Sequence, residues 1–92
     1  AINKAKQSDY IIGSKRQRIE EAWEKAQIQA ASAQSVLDYM VEQFNKFKDE
    51  LTPEVIAQTE DQIALRQKDI KDYLMESKET YEKEIGEYNA SL

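Results

Sequence analysis

The sequence contains no cysteine and no histidine. Without cysteine the chain cannot form a disulfide or supply a thiolate to a metal. Without histidine it lacks the commonest general base and the commonest transition-metal ligand. Carboxylate pairs at helical spacing, such as Glu20 with Glu24, are typical of solvated helix faces. We therefore expect a protein that is not an enzyme and that binds neither a metal nor a cofactor.

Proline and glycine are scarce, with one Pro and two Gly in 92 residues. Apolar residues make up 40% of the chain and charged residues 34%, a balance typical of long helices. No apolar run approaches the roughly 18 residues of a membrane span, and residues 1–4 begin no hydrophobic signal segment. We therefore expect no membrane-spanning helix and favour a cytoplasmic location. A chain of this length forms one domain at most, with a marginal core.

A stripe of apolar residues runs through the first half of the chain at alternating steps of four and three residues. Such steps average about 3.5 residues, which is the heptad pattern of a helix that packs along one seam. No Pro or Gly interrupts residues 15–50, so the pattern predicts a helix from about residue 14 to residue 51. The stripe consists of Ile19, Trp23, Ala26, Ala30, Ala33, Leu37, Met40, Phe44, Phe47 and Leu51.

The first helix is predicted to end just before Pro53. Thr52 is a favoured N-cap residue, Pro53 suits the first helical position, and Glu54 places negative charge on the first turn. A second helix is expected from about residue 53 to residue 88, with Gly86 close to its end. Because so short a connection forces neighbouring helices to pack antiparallel, the sequence predicts an all-α, antiparallel two-helix hairpin of coiled-coil type.

Leu51 set opposite Ile56 fixes a register for this hairpin. Phe47 and Met40 then lie opposite Glu60 and Gln67. Either the second stripe drifts relative to the heptad, or these two residues face another neighbour. The same register matches Phe44 with Ile63, Leu37 with Ile70, Ala33 with Leu74, Ala26 with Tyr81, and Ile19 with Tyr88.

Positions beside the first seam are mostly neutral, where a two-stranded coil usually carries Glu and Lys. A wide neutral face suits a helix that contacts two neighbours. We therefore expect the hairpin to complete a four-helix bundle by self-association or by docking on a partner. The residues expected to take part in protein interaction are Trp23, Tyr39, Met40, Phe47 and Tyr73.

Residues 1–13 are predicted to form an N-terminal extension or a short helix, and residues 14–92 the hairpin, with Ser14 as a helix cap. The alternative is a first helix that runs unbroken from Ile2. The chain carries a net charge of −5, but its first residues are basic. The register sets Lys15, Arg16 and Arg18 near an acidic end of the second helix that includes Glu82, Glu84 and Glu87. These basic side chains are expected to stabilise the register or to contact an acidic partner protein; nucleic-acid binding is a weaker alternative.

In length and two-helix layout the chain resembles the small helical-hairpin substrates of type VII secretion. That family carries a Trp-x-Gly turn between its helices and a tyrosine-plus-acid motif in its tail. Here the turn reads Leu51-Thr52-Pro53, and no acid follows four residues after Tyr73, Tyr81 or Tyr88. The resemblance therefore covers general shape only.

Function is expected to reside in surfaces and not in reactive groups. The pattern favours a non-enzymatic protein–protein interaction module, such as a scaffold, an adaptor or an assembly component. The alternative is a small acidic inhibitor or secretion-type chaperone that sequesters one protein partner. Nucleic-acid binding through the basic N-terminal segment is a third hypothesis.

Overall fold

The computed structural model describes the backbone of residues 2–92 and the side chains of residues 14–92. Helix α1 spans Ile2–Phe47, a short 3₁₀ turn covers Lys48–Glu50, and helix α2 spans Pro53–Ala90. The two helices pack against each other as a hairpin, and residues 2–92 include no β-strand. The molecule is a rod of 74 × 18 × 10 Å. The predicted all-α antiparallel hairpin is confirmed.

The corner between the helices follows the predicted chemistry. Thr52 has extended backbone geometry, and its hydroxyl accepts a hydrogen bond from the Val55 amide at 3.3 Å. Pro53 occupies the first turn of α2, where its missing N–H removes no helical hydrogen bond. The 3₁₀ turn ends α1 earlier than the predicted residue 51.

The beginning of α1 differs from the prediction. The helix begins at Ile2, so Ser14 lies inside α1 and does not act as its cap. A glycine inside a helix costs about 1 kcal/mol relative to alanine, and a helix as long as α1 sustains that penalty. The assignment of residues 1–13 to a separate extension lies outside the residues whose side chains the structure describes.

The core is a thin seam between the two helices. Trp23 stacks on Tyr81, with ring centroids 5.8 Å apart and an interplanar angle of 21°. Leu37 lines one groove with Ile70, as the register predicts. The buried apolar residues among positions 14–92 are Ile19, Ala26, Ala30, Leu37 and Tyr88.

Toward the corner the seam departs from the heptad pattern. Ala33 and Phe47 were expected on the seam, but both are exposed, and the residues after them, Gln34 and Lys48, are half-buried in their place. A straight helix has about 3.6 residues per turn, so a strict heptad stripe rotates out of the interface along its length. The sequence allowed a drift of the second stripe, on α2, whereas the departure from the heptad described here occurs on α1.

Candidate protein-interaction surface

One side of the hairpin is closed by polar contacts near the seam. Gln34 and Gln67 form a reciprocal amide pair, with N···O distances of 2.9 and 2.8 Å. Lys48 forms an ion pair with Glu60 at 3.4 Å, and its ammonium lies 5.8 Å from the ring centroid of Phe44. Glu60 and Gln67 of the second stripe thus have polar partners on α1. This side of the rod is called the polar face, and it also holds a groove that Gln34 and Lys78 line together with the apolar residues Trp23, Ala30, Ala31, Ile70 and Leu74.

The opposite side is crossed by two different contacts. The Tyr73 hydroxyl donates a hydrogen bond to Gln29 at 2.6 Å. An Arg66 N–H lies 3.5 Å from the sulfur of Met40. Residues three and four apart lie on the same face of a helix. The residues at these spacings from Gln29 and Met40 on α1, and from Arg66 and Tyr73 on α2, therefore lie on this side as well.

This second side is called the neutral face. On α1 it consists of Ala22, Gln29, Ala33, Val36, Met40, Gln43 and Phe47, none of which is charged. On α2 it consists of Val55, Thr59, Gln62, Arg66, Tyr73, Ser77 and Thr80. Charged side chains accompany these residues on α2. Arg66 and Asp69 line one groove with Val36 and Leu37, and Glu76 and Glu84 line another with Ala22, Tyr73, Ser77 and Thr80.

Apolar side chains on the neutral face are substantially exposed. Val36 is 59% exposed, Phe47 51%, and Val55 and Tyr73 41% each. Both helices contribute to this set, and Leu65 at 59% and Met75 at 51% are as exposed elsewhere on the rod. Exposed apolar side chains on a helix face form the kind of surface that packs against another helix.

The structure distributes the five predicted interaction residues over three environments. Met40, Phe47 and Tyr73 lie on the neutral face. Trp23 is half-buried in the seam against Tyr81. Tyr39 is 62% exposed on the outer side of α1, away from the seam. Their part in binding stays a prediction.

The basic residues near the open end are placed partly as expected. Lys15 and Arg18 line a groove with Glu84 and Glu87. Arg16 instead bonds Glu20 of its own helix at 3.1 Å, in a pair that is largely exposed. The acidic neighbours reduce the positive potential that a nucleic acid would require.

Val36 lies among the neutral positions beside the first seam from which the sequence predicted a second neighbour. Val55 on α2 is an exposed apolar residue that the sequence analysis did not name. It lies off the second apolar stripe, where a valine resembles an ordinary surface residue, and it joins this face only when the hairpin brings the two helix flanks together.

Within the part of the chain whose side chains are described, no group of three or more acidic side chains is placed to hold a metal ion. Neither helix, over the residues that were described, has a stretch long and apolar enough to cross a membrane.

The rod exposes more surface than a compact protein of its mass. Its accessible surface is 7556 Å². A compact monomer of 10.7 kDa exposes about 5,500 Å² by the usual scaling with mass. The excess of about 2,000 Å² reflects the elongated shape of the whole chain.

The fold and surface together define a class: an all-α antiparallel helical hairpin with one neutral and one polar side. Comparison with protein-family models, with curated proteins and with solved structures finds no match to this chain.

Proposed function

We propose that this chain is a non-enzymatic protein–protein interaction module, a scaffold, adaptor or assembly component that binds through its neutral face. The observation that carries the proposal is the strip of exposed apolar side chains along the neutral face. Burying such side chains releases roughly 25 cal/mol per Å² of apolar surface, before the costs of association.

The seam supports the same proposal. Five buried residues in positions 14–92 give the hairpin a thin core, and none of them is fully buried. Small domains with insufficient cores usually gain stability from association. A partner on the neutral face would add a second apolar layer to the first.

The acidic-inhibitor alternative rests on net charge, and the neutral face does not favour it. Binding through exposed carboxylates is screened by salt, whereas binding through apolar side chains is not. The two hypotheses therefore predict opposite responses to ionic strength.

A photo-crosslinking experiment in the cells that make the protein tests the proposal. The photoreactive residue benzoylphenylalanine replaces Val36 in one variant and Ile28 in a matched control. Both side chains are 59% exposed, but Ile28 lies outside the neutral face. We expect discrete higher-mass adducts from position 36 at several times the yield from position 28.

A second substitution on the same face, Ala33→Glu, is expected to abolish the adducts from position 36, because a buried unpaired charge is costly at an apolar interface. Equal yields at positions 36 and 28, or no adduct at position 36, would contradict binding through the neutral face.

A further inference from the structure

The neutral face has a size gradient along α1. Its apolar residues toward the open end are small, with Ala22 and Ala33, and those toward the corner are large, with Met40 and Phe47. A surface that is small at one end and large at the other complements a copy of itself turned end for end. Interfaces pack to the density of protein interiors, so large side chains need small ones opposite them.

We propose that the occupant of the neutral face is a second copy of this chain, packed antiparallel. The two-fold axis lies between the two copies, at the level of residues 34 and 35 of α1. The inference rests on the proposed function and names its partner. In this arrangement α1 lies against the partner's α1 and α2 against the partner's α2. Ala22 then lies opposite the partner's Phe47, and Ala33 opposite the partner's Val36.

The charges on α2 are complementary under the same symmetry. Arg66 and Asp69 line one groove with Val36, so they lie close to the proposed axis. An antiparallel two-fold places Arg66 of each copy near Asp69 of the other. An isologous interface repeats each such contact twice.

Two hairpins packed face to face form a four-helix bundle, in which helices pack about 20° from antiparallel. The second copy therefore supplies the further apolar contacts that the thin seam between α1 and α2 lacks.

Sedimentation equilibrium of the purified full chain is the first test. We expect twice the monomer mass of 10.7 kDa. Val36→Glu should give a monomer, and the matched variant Ile28→Glu should remain a dimer, with circular dichroism showing that both stay helical. A monomeric wild-type chain at millimolar concentration, or a dimeric Val36→Glu variant, would overturn the inference.

Distances between spin labels decide the orientation. The chain has no native cysteine, so Glu24→Cys, Ser35→Cys and Lys46→Cys each carry a single label on the outer side of α1. The antiparallel dimer predicts the shortest distance at position 35 and distances about 10 Å or more longer at positions 24 and 46, given a rise of 1.5 Å per residue. Equal distances at all three positions indicate a parallel dimer and overturn the antiparallel arrangement.

These outcomes separate the inference from the proposed function. A monomeric chain that still gives adducts from position 36 in cells would reject the second copy and retain the interaction module. A monomeric chain that also gives no adducts from position 36 would reject the two proposals together.

Discussion

At the residue scale, the contact between Trp23 and Tyr81 joins the two helices far from the corner. Both rings are half-buried, and their stacked geometry adds about 1 kcal/mol to the area that they bury. Near the middle of the rod, Gln34 and Gln67 satisfy each other with two hydrogen bonds. This pair is exposed beside the seam and adds little stability, because water can replace its hydrogen bonds when the pair separates.

The aromatic stack gives the first prediction. Tyr81→Ala should lower the free energy of unfolding by about 2 kcal/mol, because it removes a half-buried ring and its stacking partner. Tyr39→Ala, at an exposed position without a described hydrogen bond, should change it by less than about 0.5 kcal/mol. Urea unfolding at one fixed protein concentration measures both, with the single tryptophan as the fluorescent probe. Equal losses in the two variants would show that the stack contributes nothing.

At the element scale, the corner determines where one helix ends and the next begins. The Thr52 side chain satisfies the Val55 amide, and the 3₁₀ turn Lys48–Glu50 tightens the end of α1. Two helices of this length need their ends held close, because a flexible connection would permit other registers and exchange of helices between copies.

Thr52→Ala should destabilise the hairpin by about 1 kcal/mol, because the Val55 amide at the start of α2 loses its hydrogen-bond acceptor. Thr52→Ser keeps the hydroxyl and should stay within a few tenths of a kcal/mol of the wild type. Thermal unfolding followed by circular dichroism provides the measurement. If serine and alanine destabilise the chain alike, the cap is not the source of the effect.

Gly86 offers a gain of stability within α2. The sequence placed it close to the helix end, and the structure extends α2 beyond it to Ala90. A methyl group added at Gly86 would meet no atom within 4 Å. Gly86→Ala should therefore raise the free energy of unfolding by about 0.5 to 1 kcal/mol, since alanine restricts the unfolded chain and favours the helix.

The inverse substitution at an exposed site of the same helix is the control for Gly86. Ala64→Gly should lower the free energy of unfolding by about 1 kcal/mol. The midpoints of urea unfolding of the two variants measure both changes in stability. A Gly86→Ala chain that is less stable than the wild type would mean that this part of α2 is not a stable helix in solution.

At the scale of the whole molecule, the rod has one side closed by polar contacts and one side left neutral. The ion pairs described among residues 14–92, Arg16–Glu20 and Lys48–Glu60, both lie among exposed side chains and contribute little. Charge therefore has a small part in holding the hairpin together, and apolar burial has the larger one.

The salt dependence of association follows from this division. The proposed dimer should change its dissociation constant by less than about threefold between 0.1 and 0.5 M NaCl, because buried apolar side chains supply most of its stability and exposed charge pairs such as Arg66 with Asp69 contribute little. Sedimentation equilibrium at both salt concentrations measures it. A loss of affinity of tenfold or more would favour binding through carboxylates, as the acidic-inhibitor hypothesis requires.

Much of the architecture could be predicted from the order of residues alone. Helix-favouring composition, the heptad stripe and the Thr52-Pro53 corner are local signals, and they were sufficient for two long helices folded back on each other. The pairing of Leu37 with Ile70 also followed, because one corner fixes the register of two rigid helices. The predicted cap at Ser14 failed because a long helix tolerates a local break signal.

Which side chains face the partner helix was decided only by the tertiary structure. A heptad reading assumes 3.5 residues per turn, but the helices are straighter, so Phe47 rotates outward and Lys48 takes its place. The neutral face likewise consists of two flanks, around Val36 on α1 and Tyr73 on α2, that are distant in the chain. No local pattern reports a surface whose halves become neighbours only when the hairpin closes.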